Sequence, residues 1–490
     1  MYNVVMLKTH KAQPEMEFVY IDELVPKDHL LRKITKAIDF EFIREKVWHL
    51  YCADNGRPPV DPVVLFKMLF IGYLFGIRSE RQLMRDIEVN VAYRWFVGFT
   101  LREKIPHAST ISQNRRRRFN TSEVYQEIFD EIVLQAMRKK MVDGRVLYTD
   151  STHIKADANK HKFTKSEVRK RTSKYLDELD EDVESDRKEH GKKPLKPPKD
   201  KPPETKAVKK STTDPDSGYM VRDGKPKGFF YLDHRTVDAK HAIITDVLTT
   251  AANIHDSVPY LDRLERQIER FGFNVKAVGL DAGYFTAHIC KSLEDKNIYG
   301  TIGYRRPNRG KGLYPKRKYT YDPESDTYRC PAGETLPYRT TTRQGFKHYI
   351  SDPKTCRTCT HLTQCTKSAN HTKIITRHIW QESKDRVDAH RLTEHGKRIY
   401  ARRKETVERS FADAKELHGH RYAKRRGLKK VNEQTLLCAA VQNMKKMALH
   451  LYRAGSLRLK IASTPLDRAL WGLQKGGCWV KLEYSLLFVE

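Results

Sequence analysis

The sequence predicts a mixed α+β or α/β fold, with a helical N-terminal domain, a mixed sheet flanked by helices, and a cysteine-rich insertion. Three observations support this expectation. Apolar residues recur at helical intervals over residues 17–140, β-type runs begin after Gly144, and helical spacing returns over residues 387–451. At 490 residues the chain exceeds one compact domain, so two or three domains are expected.

These changes of pattern divide the chain into five segments. They are a helical domain for DNA binding or dimerisation, the first part of the sheet domain, the cysteine-rich insertion, the returning helices, and a tail without a usable pattern. In order, they cover residues 1–143, 144–304, 305–386, 387–455 and 456–490. Within the second segment, residues 160–210 are rich in Lys, Glu, Asp and Pro, which predicts a mobile, partly helical insertion.

The N-terminal helices are marked by caps and apolar spacing. Asp61 and Pro62 begin a helix whose near-continuous apolar character predicts burial on most sides. A second helix follows from Ser79, and Ser109 can cap a third. That third helix carries four consecutive arginines, Arg115, Arg116, Arg117 and Arg118. Such a basic helix is typical of a DNA-binding module, although the same arginines could simply be solvated on a packing domain.

The strands of the sheet domain follow from short β-type runs. Residues 146–148 lead to Asp150, residues 229–237 and 241–250 form two paired strands, and residues 275–280 lead to Asp281. An amphipathic helix is expected between the pair and the last strand, over residues 256–271.

The charge balance indicates a polyanionic partner. The chain has 93 Lys and Arg against 62 Asp and Glu, a formal net charge of +31. Nucleic acid is the commonest intracellular polyanion, but a membrane surface would also attract this charge. The N-terminal residues lack the apolar block of a secretory signal, and the longest apolar run, residues 63–75, is too short to cross a bilayer. We therefore expect a cytoplasmic protein with reduced cysteines and no membrane partner.

Two aspartates share one local setting. Asp150 and Asp281 each follow a β-type run and each precedes small or hydroxyl residues. If their strands are neighbours, the carboxylates meet at one edge and repel each other, so they need cations to stay ionised. A pair of divalent ions about 4 Å apart meets that need and can perform in-line phosphoryl chemistry. The alternative is that each Asp is a turn or cap residue.

A third acidic ligand is sought on the late helix. Val407, Phe411 and Ala414 form an apolar face that anchors this helix, and Glu408 lies beside that face. Lys415 follows two turns later, so Glu408 could reach Mg²⁺ while Lys415 contacts a DNA phosphate. Both could instead be ordinary surface charges.

Three segments resemble the DDE transposases of bacterial insertion sequences. Residues 148–154 (YTDSTHI) resemble the strand with the first Asp, residues 278–284 (VGLDAGY) the strand with the second, and residues 406–411 (TVERSF), with Lys415, the helix with the third acidic member. The N-terminal helices, including Asp61–Pro62 and residues 107–118, are similar to the first domain of the same group. The resemblance extends from about residue 16 to residue 451, except for the charged insertion.

The resemblance implies an RNase H-like catalytic domain in which Asp150, Asp281 and Glu408 bind Mg²⁺ or Mn²⁺. Such enzymes cut double-stranded DNA at transposon ends with water and then use the freed 3′-OH to attack target DNA, which makes a homodimer on two ends the natural expectation. An RNase H-like nuclease without strand transfer, or an inactive transposase-derived DNA-binding protein, are the alternatives.

One signature of related enzymes fits only in part. It has the form Tyr–x2–Arg–x3–Glu–x6–Lys, and Glu408–x6–Lys415 matches its second half. Tyr400–x2–Arg403 matches its beginning, but four residues separate Arg403 from Glu408. Glu405 is therefore a rival third ligand, although it lacks the Lys spacing.

The cysteines indicate a second kind of metal site. Cys330, Cys356, Cys359 and Cys365 fall close together in the sequence, and the Cys356–x2–Cys359 step is typical of zinc knuckles. We expect structural Zn²⁺, with His361 as a possible substitute ligand; the alternative is that these thiols are buried or incidental. The other cysteines are expected to be packing residues: Cys52, Cys290, Cys438 and Cys478.

A basic segment follows the Glu408 helix. It contains His420, Lys424, Arg425 and Arg426, which could follow a DNA strand toward the metals, with Tyr422 stacking on a base. An ordinary basic loop explains these residues nearly as well.

Overall fold

A computed structural model of the chain describes residues 18–52, 59–169, 175–196, 205–221, 227–304 and 312–462. The chain divides into two compact units. The first contains residues 1–72, 77–122 and 444–490, and the second contains residues 73–76 and 123–443. The first unit thus differs from the predicted domain 1–143, because it ends earlier and takes in the C-terminal residues.

The first unit is helical, as expected. Its helices are α1 (Ile21–Leu24), α2 (Leu30–Ala37), α3 (Phe42–Val47), α4 (Pro62–Leu74), α5 (Glu80–Val89), α6 (Val91–Val97) and α7 (Ser109–Arg117). The predicted burial of α4 is confirmed, since Phe66 and Phe70 are almost fully buried and contact other aromatic rings. The predicted cap of α7 is wrong: Ser109 is the first helical residue, and its backbone N–H donates to the His107 side chain instead.

The second unit contains a six-stranded mixed sheet and a separate two-stranded ribbon. Their strands are β1 (Val146–Lys155), β2 (Phe163–Arg169), β3 (Thr205–Ser211), β4 (Gly218–Met220), β5 (Gly228–Asp238), β6 (Ile244–Ala251), β7 (Ala277–Leu280) and β8 (Tyr299–Ile302). The sheet order is β4-β5-β1-β7-β8, with β6 also paired to β5. Strands β1, β7 and β8 are parallel, whereas β5 is antiparallel to both β1 and β6.

Ten helices are described around this sheet and in the later segments. They are α8 (Val124–Arg138), α9 (Tyr175–Glu189), α10 (Tyr260–Phe271), α11 (Ala287–Asp295), α12 (Pro353–Arg357), α13 (Leu362–Cys365), α14 (Gln381–His390), α15 (Glu394–Ala401), α16 (Arg409–Leu417) and α17 (Leu428–Ala462). The predicted order of strand, strand pair, amphipathic helix and strand corresponds to β1, β5–β6, α10 and β7. Among the helices that the structure describes, none has the length and apolar character that a bilayer crossing needs.

The charged insertion differs from the mobile segment expected over residues 160–210. Its described residues form the β2–β3 ribbon and α9, while residues 170–174 and 197–204 lie outside the described part of the chain. Helix α9 packs through Leu179 and Val183 against Trp380. Arg187 of the same helix donates hydrogen bonds to Thr340 and Thr341. Helix α9 thus makes contacts with a segment that is distant in the sequence, and composition alone cannot indicate such contacts.

That distant segment is the cysteine-rich insertion, which forms its own antiparallel sheet. The sheet order is β13-β12-β11-β10-β9. Its strands are β9 (Thr320–Asp322), β10 (Thr327–Arg329), β11 (Thr335–Thr341), β12 (Phe346–Ile350) and β13 (Ile374–His378). A cluster of buried tyrosines and Leu336 forms its core.

Candidate active site on strands β1 and β7

The sheet register brings Asp150 and Asp281 level with each other. In the parallel pairing of β1 with β7, Thr149 lies opposite Leu280, so the next residue on each chain is one of the two aspartates. Gly279 makes the close approach possible, because a Cβ there would lie 2.6 Å from the Tyr148 ring. The two strands therefore bring their carboxylates level with each other, but only Asp281 follows the end of its strand: β1 continues to Lys155, so Asp150 lies within it.

The guanidinium of Arg403 lies between the two carboxylates. Its Nη2 is 2.6 Å from Asp150 Oδ2, and its Nη1 is 3.9 Å from Asp281 Oδ1. The Arg403 side chain is only 4% exposed, whereas that of Asp281 is 52% exposed, so the pair is open to solvent on the Asp281 side. Two neighbouring carboxylates repel, and Arg403 supplies the compensating positive charge.

Burial raises the pKa of Asp150 to about 6. Arg403 opposes this shift, while the charges of Asp281 and Asp256 add to it. Asp256 is a further acidic neighbour that the sequence analysis did not select. It accepts a 2.8 Å hydrogen bond from the Ser151 hydroxyl. Its only signal in the sequence is its place at the start of the predicted amphipathic helix over residues 256–271, four residues before α10 begins.

Glu408 ends a short π-helical turn, Lys404–Glu408. The N–H of Glu408 donates to the carbonyl of Arg403 at 3.1 Å, a bond that spans five residues rather than the usual four. A π turn accommodates one extra residue within a helix, and one extra residue separates Arg403 from Glu408 relative to the signature. The backbone thus absorbs the mismatch between the two halves of the signature.

The helix around Glu408 is anchored as predicted. Val407, Phe411 and Ala414 are buried, while Glu408 is exposed. Lys415 Nζ donates a 2.5 Å hydrogen bond to the hydroxyl of Thr152. Thr152 lies two residues after Asp150, and therefore on the same face of β1. Glu405, the rival ligand, is also exposed on the π turn.

The arrangement does not itself assemble a complete cation site. Within the described ranges, no group of three His, Cys, Asp or Glu side chains is placed to hold a metal ion. Asp150 and Asp281 share a partner, but the part played by Glu408 stays a prediction.

A buried charged cluster lies beside the site, on the neighbouring strand. Arg235 of β5 is directly opposite Asp150, and Asp233 is opposite Thr152. Arg235 contacts Asp233 at 2.8 Å and donates to the Ser410 hydroxyl of α16 at 3.1 Å. Asp233 also contacts His420, the third residue after α16 ends, at 2.9 Å. We call Asp233, Arg235, His420 and Cys438 the core charge cluster.

The members of the core charge cluster shift one another's pKa. Burial alone would raise the pKa of Asp233, but Arg235 and His420 hold it well below its usual range. Burial alone would lower the pKa of His420, but Cys438 and Asp233 raise it to about 9. The cluster therefore links β5 to both ends of α16 through charged contacts.

The predicted DNA-binding residues fall into two groups. Arg115 is buried and pairs with Glu80, and Arg118 stacks over the Tyr51 ring, whereas Arg116 and Arg117 are exposed on α7.

In the second unit, Lys424 lies over the Tyr73 ring and Arg425 pairs with the buried Glu433. Arg426 is half exposed and pairs with Asp157. Arg116, Arg117 and Arg426 are thus the more accessible positions.

The four clustered cysteines line one small cavity. Cys330, Cys356, Cys359 and Cys365 surround about 40 Å³, together with His361. Burial raises the pKa of the Cys356 thiol, and the three other thiols add to this shift. Of the remaining cysteines, Cys290 and Cys438 are buried as expected, Cys52 is exposed, and Cys478 lies outside the described residues.

Comparisons with known proteins give two family matches. Residues 19–117 match the family described as "Transposase domain (DUF772)", and residues 329–448 match the "Transposase DDE domain". The second match includes the cysteine cluster, Glu408 and Lys415. Both matches are to transposase families. More narrowly, the chain carries a DDE domain, so the resemblance to the DDE transposases is confirmed.

Comparisons with solved structures give weaker likenesses. A piggyBac transposase synaptic complex with hairpin DNA has 10% identity and a TM-score of 0.31, covering 92% of this chain and 83% of that one. A Mos1 transposase paired-end complex with the left transposon end has 12% identity and a TM-score of 0.16, covering 51% of this chain and 61% of that one. At these scores the family matches alone carry the assignment. No curated protein matches the chain.

Proposed function

We propose that this protein binds the terminal inverted repeats of a bacterial insertion sequence and catalyses metal-dependent DNA cleavage and strand transfer. The observation that carries the proposal is the level placement of Asp150 and Asp281 on adjacent parallel strands, in a chain with a transposase DDE domain. The mixed sheet with β5 antiparallel to β1 is the basis for proposing an RNase H-like catalytic domain.

Asp150, Asp281 and Glu408 are the residues that would hold Mg²⁺ or Mn²⁺. Their oxygen donors suit these ions, and the contact of one guanidinium with both Asp150 and Asp281 supports a site for positive charge between them. Such ions activate the attacking oxygen and stabilise the leaving one. The chain itself keeps Asp150 largely out of water and holds Lys415 beside Thr152, on the Asp150 face of β1, where an ammonium can contact a phosphate.

The proposed partners are double-stranded DNA, as transposon ends and as target, and a second copy of the chain. The net charge of +31 favours DNA, and Arg116, Arg117 and Arg426 are the accessible cations from the predicted set. Action on two ends favours a homodimer. The bacterial nucleoid is the proposed place of action.

Two assays test the function in sequence. The DNA flanking the gene is searched for short inverted repeats, and a labelled duplex ending in such a repeat is incubated with the protein and Mg²⁺. Cleavage at the repeat end, followed by joining of a pre-cut 3′-OH end to a target plasmid, is expected. Cleavage without joining would establish the nuclease alternative. Binding without either reaction would leave only a DNA-binding protein.

We also propose that the cysteine cavity binds structural Zn²⁺. Its support is the convergence of four thiols and His361 on one cavity, since thiolates and imidazole are the usual zinc ligands. Among the described residues, no three of these groups are already placed to hold one ion, so zinc binding would require them to move closer together. Zinc would then brace the five-stranded sheet, because Cys330 follows β10, Cys356 lies in α12 and Cys365 lies in α13.

Zinc content gives a direct prediction. Protein purified under reducing conditions should contain about one Zn²⁺ per chain, and Cys356→Ser combined with Cys359→Ser should remove it and lower the melting temperature. Cys52→Ser, at an exposed cysteine outside the cavity, is the matched control and should change neither property. Zinc that is absent after reconstitution, or equally retained by the double variant, would rule the site out.

A further inference from the structure

An open cavity of about 550 Å³ lies at the far end of β1 and has no part in the chemistry proposed above. Its lining includes an aromatic ring and three cationic side chains, which are Tyr422, Lys155, Lys162 and Arg426. Asp157 also lines it, and this carboxylate pairs with Arg426 at 2.9 Å. The lining therefore keeps a positive balance from the two lysines. The Tyr422 side chain is 45% exposed.

The wall that carries Tyr422 is fixed to the strand. Lys155 and Tyr422 form a parallel bridge, in which Lys155 N–H donates to the Arg421 carbonyl and Ala423 N–H donates to the Lys155 carbonyl. Behind this wall, Ile154 and Val431 belong to a buried apolar cluster. The position of Tyr422 is thus set by backbone pairing and core packing.

A second wall is held by a buried carboxylate. Asp214 accepts hydrogen bonds from the Tyr231 hydroxyl at 2.7 Å and from the Gly427 N–H at 3.0 Å. These bonds join the segment after β3 to the turn that follows Arg426, and Thr213 of that segment lines the cavity. Hydrogen bonds within the second unit therefore fix both walls of the cavity.

The cavity and the candidate active site share two elements. Lys155 lies five residues after Asp150 on β1, a distance of roughly 16 Å at the usual strand rise. The chain that leaves α16 passes through His420 directly into the wall at Tyr422. That distance corresponds to about five stacked nucleotides of one DNA strand.

We propose that this cavity binds an unpaired nucleotide of the DNA strand that is being processed. The ring of Tyr422 stacks on its base, and Lys155, Lys162 and Arg426 contact the phosphates on either side. An unpaired base is favoured because only an unstacked base exposes a face to an aromatic ring inside a concave site; duplex DNA offers such a cavity its phosphates alone. The volume lies within the range of sites that enclose one small ligand. The proposal rests on the proposed function, because it assumes a DNA substrate.

Binding of short oligonucleotides without divalent ions tests the proposal. The probes are a fluorescein-labelled oligothymidylate of about twelve nucleotides and a blunt duplex of the same length, followed by anisotropy. Tyr422→Ala should weaken binding of the single strand about tenfold and binding of the duplex less than about twofold, because one stacking contact is lost. Tyr422→Phe keeps the ring and should bind like the wild type. Lys155→Gln should lower the salt dependence of single-strand binding by about 0.7 in slope.

The matched control is Tyr452→Ala. Tyr452 is also 45% exposed, and Lys33 lies over its ring as Lys155 lies over the Tyr422 ring, but Tyr452 belongs to the first unit. It should leave the ratio of single-strand to duplex affinity unchanged. An unchanged single-strand affinity in Tyr422→Ala, or an equal loss on both probes, overturns the proposal. Because no cleavage is measured, this result is independent of whether Asp150, Asp281 and Glu408 form an active site.

Discussion

Asp150→Asn, Asp281→Asn and Glu408→Gln should each lower Mg²⁺-dependent cleavage of a transposon-end duplex by about a thousandfold or more. Each change removes one negative ligand from the edge proposed to hold divalent cations, and a thousandfold loss corresponds to about 4 kcal/mol in the transition state. Binding of the same duplex, measured without metal, should change by less than about twofold, because neutral amides keep the shape and the DNA contacts lie elsewhere.

The controls separate loss of the ligand from loss of the fold. Glu416 lies on α16, the helix that directly follows Glu408, in an exposed ion pair with Arg421, and Glu416→Gln should keep full cleavage. Melting temperatures accompany every variant, because Asp150→Asn also removes the carboxylate from the buried Arg403. Full cleavage by Glu408→Gln, together with loss in Glu405→Gln, would move the third ligand to Glu405. Full cleavage by either aspartate variant would remove that residue from the site.

The two aspartates were predictable because their signal is local. A short β-type run before each Asp indicates the strand, and the parallel pairing of the two runs brings the aspartates level, although β1 continues five residues beyond Asp150. The apolar face of Val407, Phe411 and Ala414 was predictable for the same reason, since its spacing fixes one side of a helix.

The role of Arg403 was not predictable, because it depends on the phase of a helix. The regular spacing of an α-helix does not align Arg403 with Glu408, which lies five residues later. The π turn, with its bond from the Glu408 N–H to the Arg403 carbonyl, accommodates the additional residue. A π turn forms where tertiary contacts favour it: here Thr406 and Val407 are buried, while Glu408 remains outside. No residue type in this segment predicts a π turn.

The regular structure of the charged insertion was also not predictable from the sequence. Its composition indicates solvation, but Asp186 of α9 pairs with Lys347 of β12 at 2.7 Å, and His190 contacts Asp326 at 2.8 Å. These partners are more than a hundred residues away in the sequence. Charged residues in a sequence predict solvent exposure unless their oppositely charged partners are known.

The core charge cluster gives the second large prediction: Asp233→Asn should lower the free energy of unfolding of the second unit by about 3–5 kcal/mol. Asp233 is fully buried and is the carboxylate partner of both Arg235 and His420, so its loss leaves two buried cations without a counter-charge. The measurement is the urea midpoint of the transition that involves the sheet domain. Asp413→Asn, which breaks a partly exposed pair with Arg409 on α16, is the matched control and should cost less than about 1 kcal/mol.

A buried cluster of this kind is a costly way to stabilise a core, because an apolar set of the same volume is often at least as stable. We expect this cluster to orient helix α16. Arg235 is fixed by Asp233 and holds Ser410 at the start of α16, and His420 is fixed by the same carboxylate just beyond the end of that helix. If the cluster orients α16, Asp233→Asn should lower cleavage at a temperature well below its midpoint, where the chain is still folded. A variant that is destabilised yet cleaves at the wild-type rate would show that the cluster serves the core alone and leaves Glu408 and Lys415 where they were.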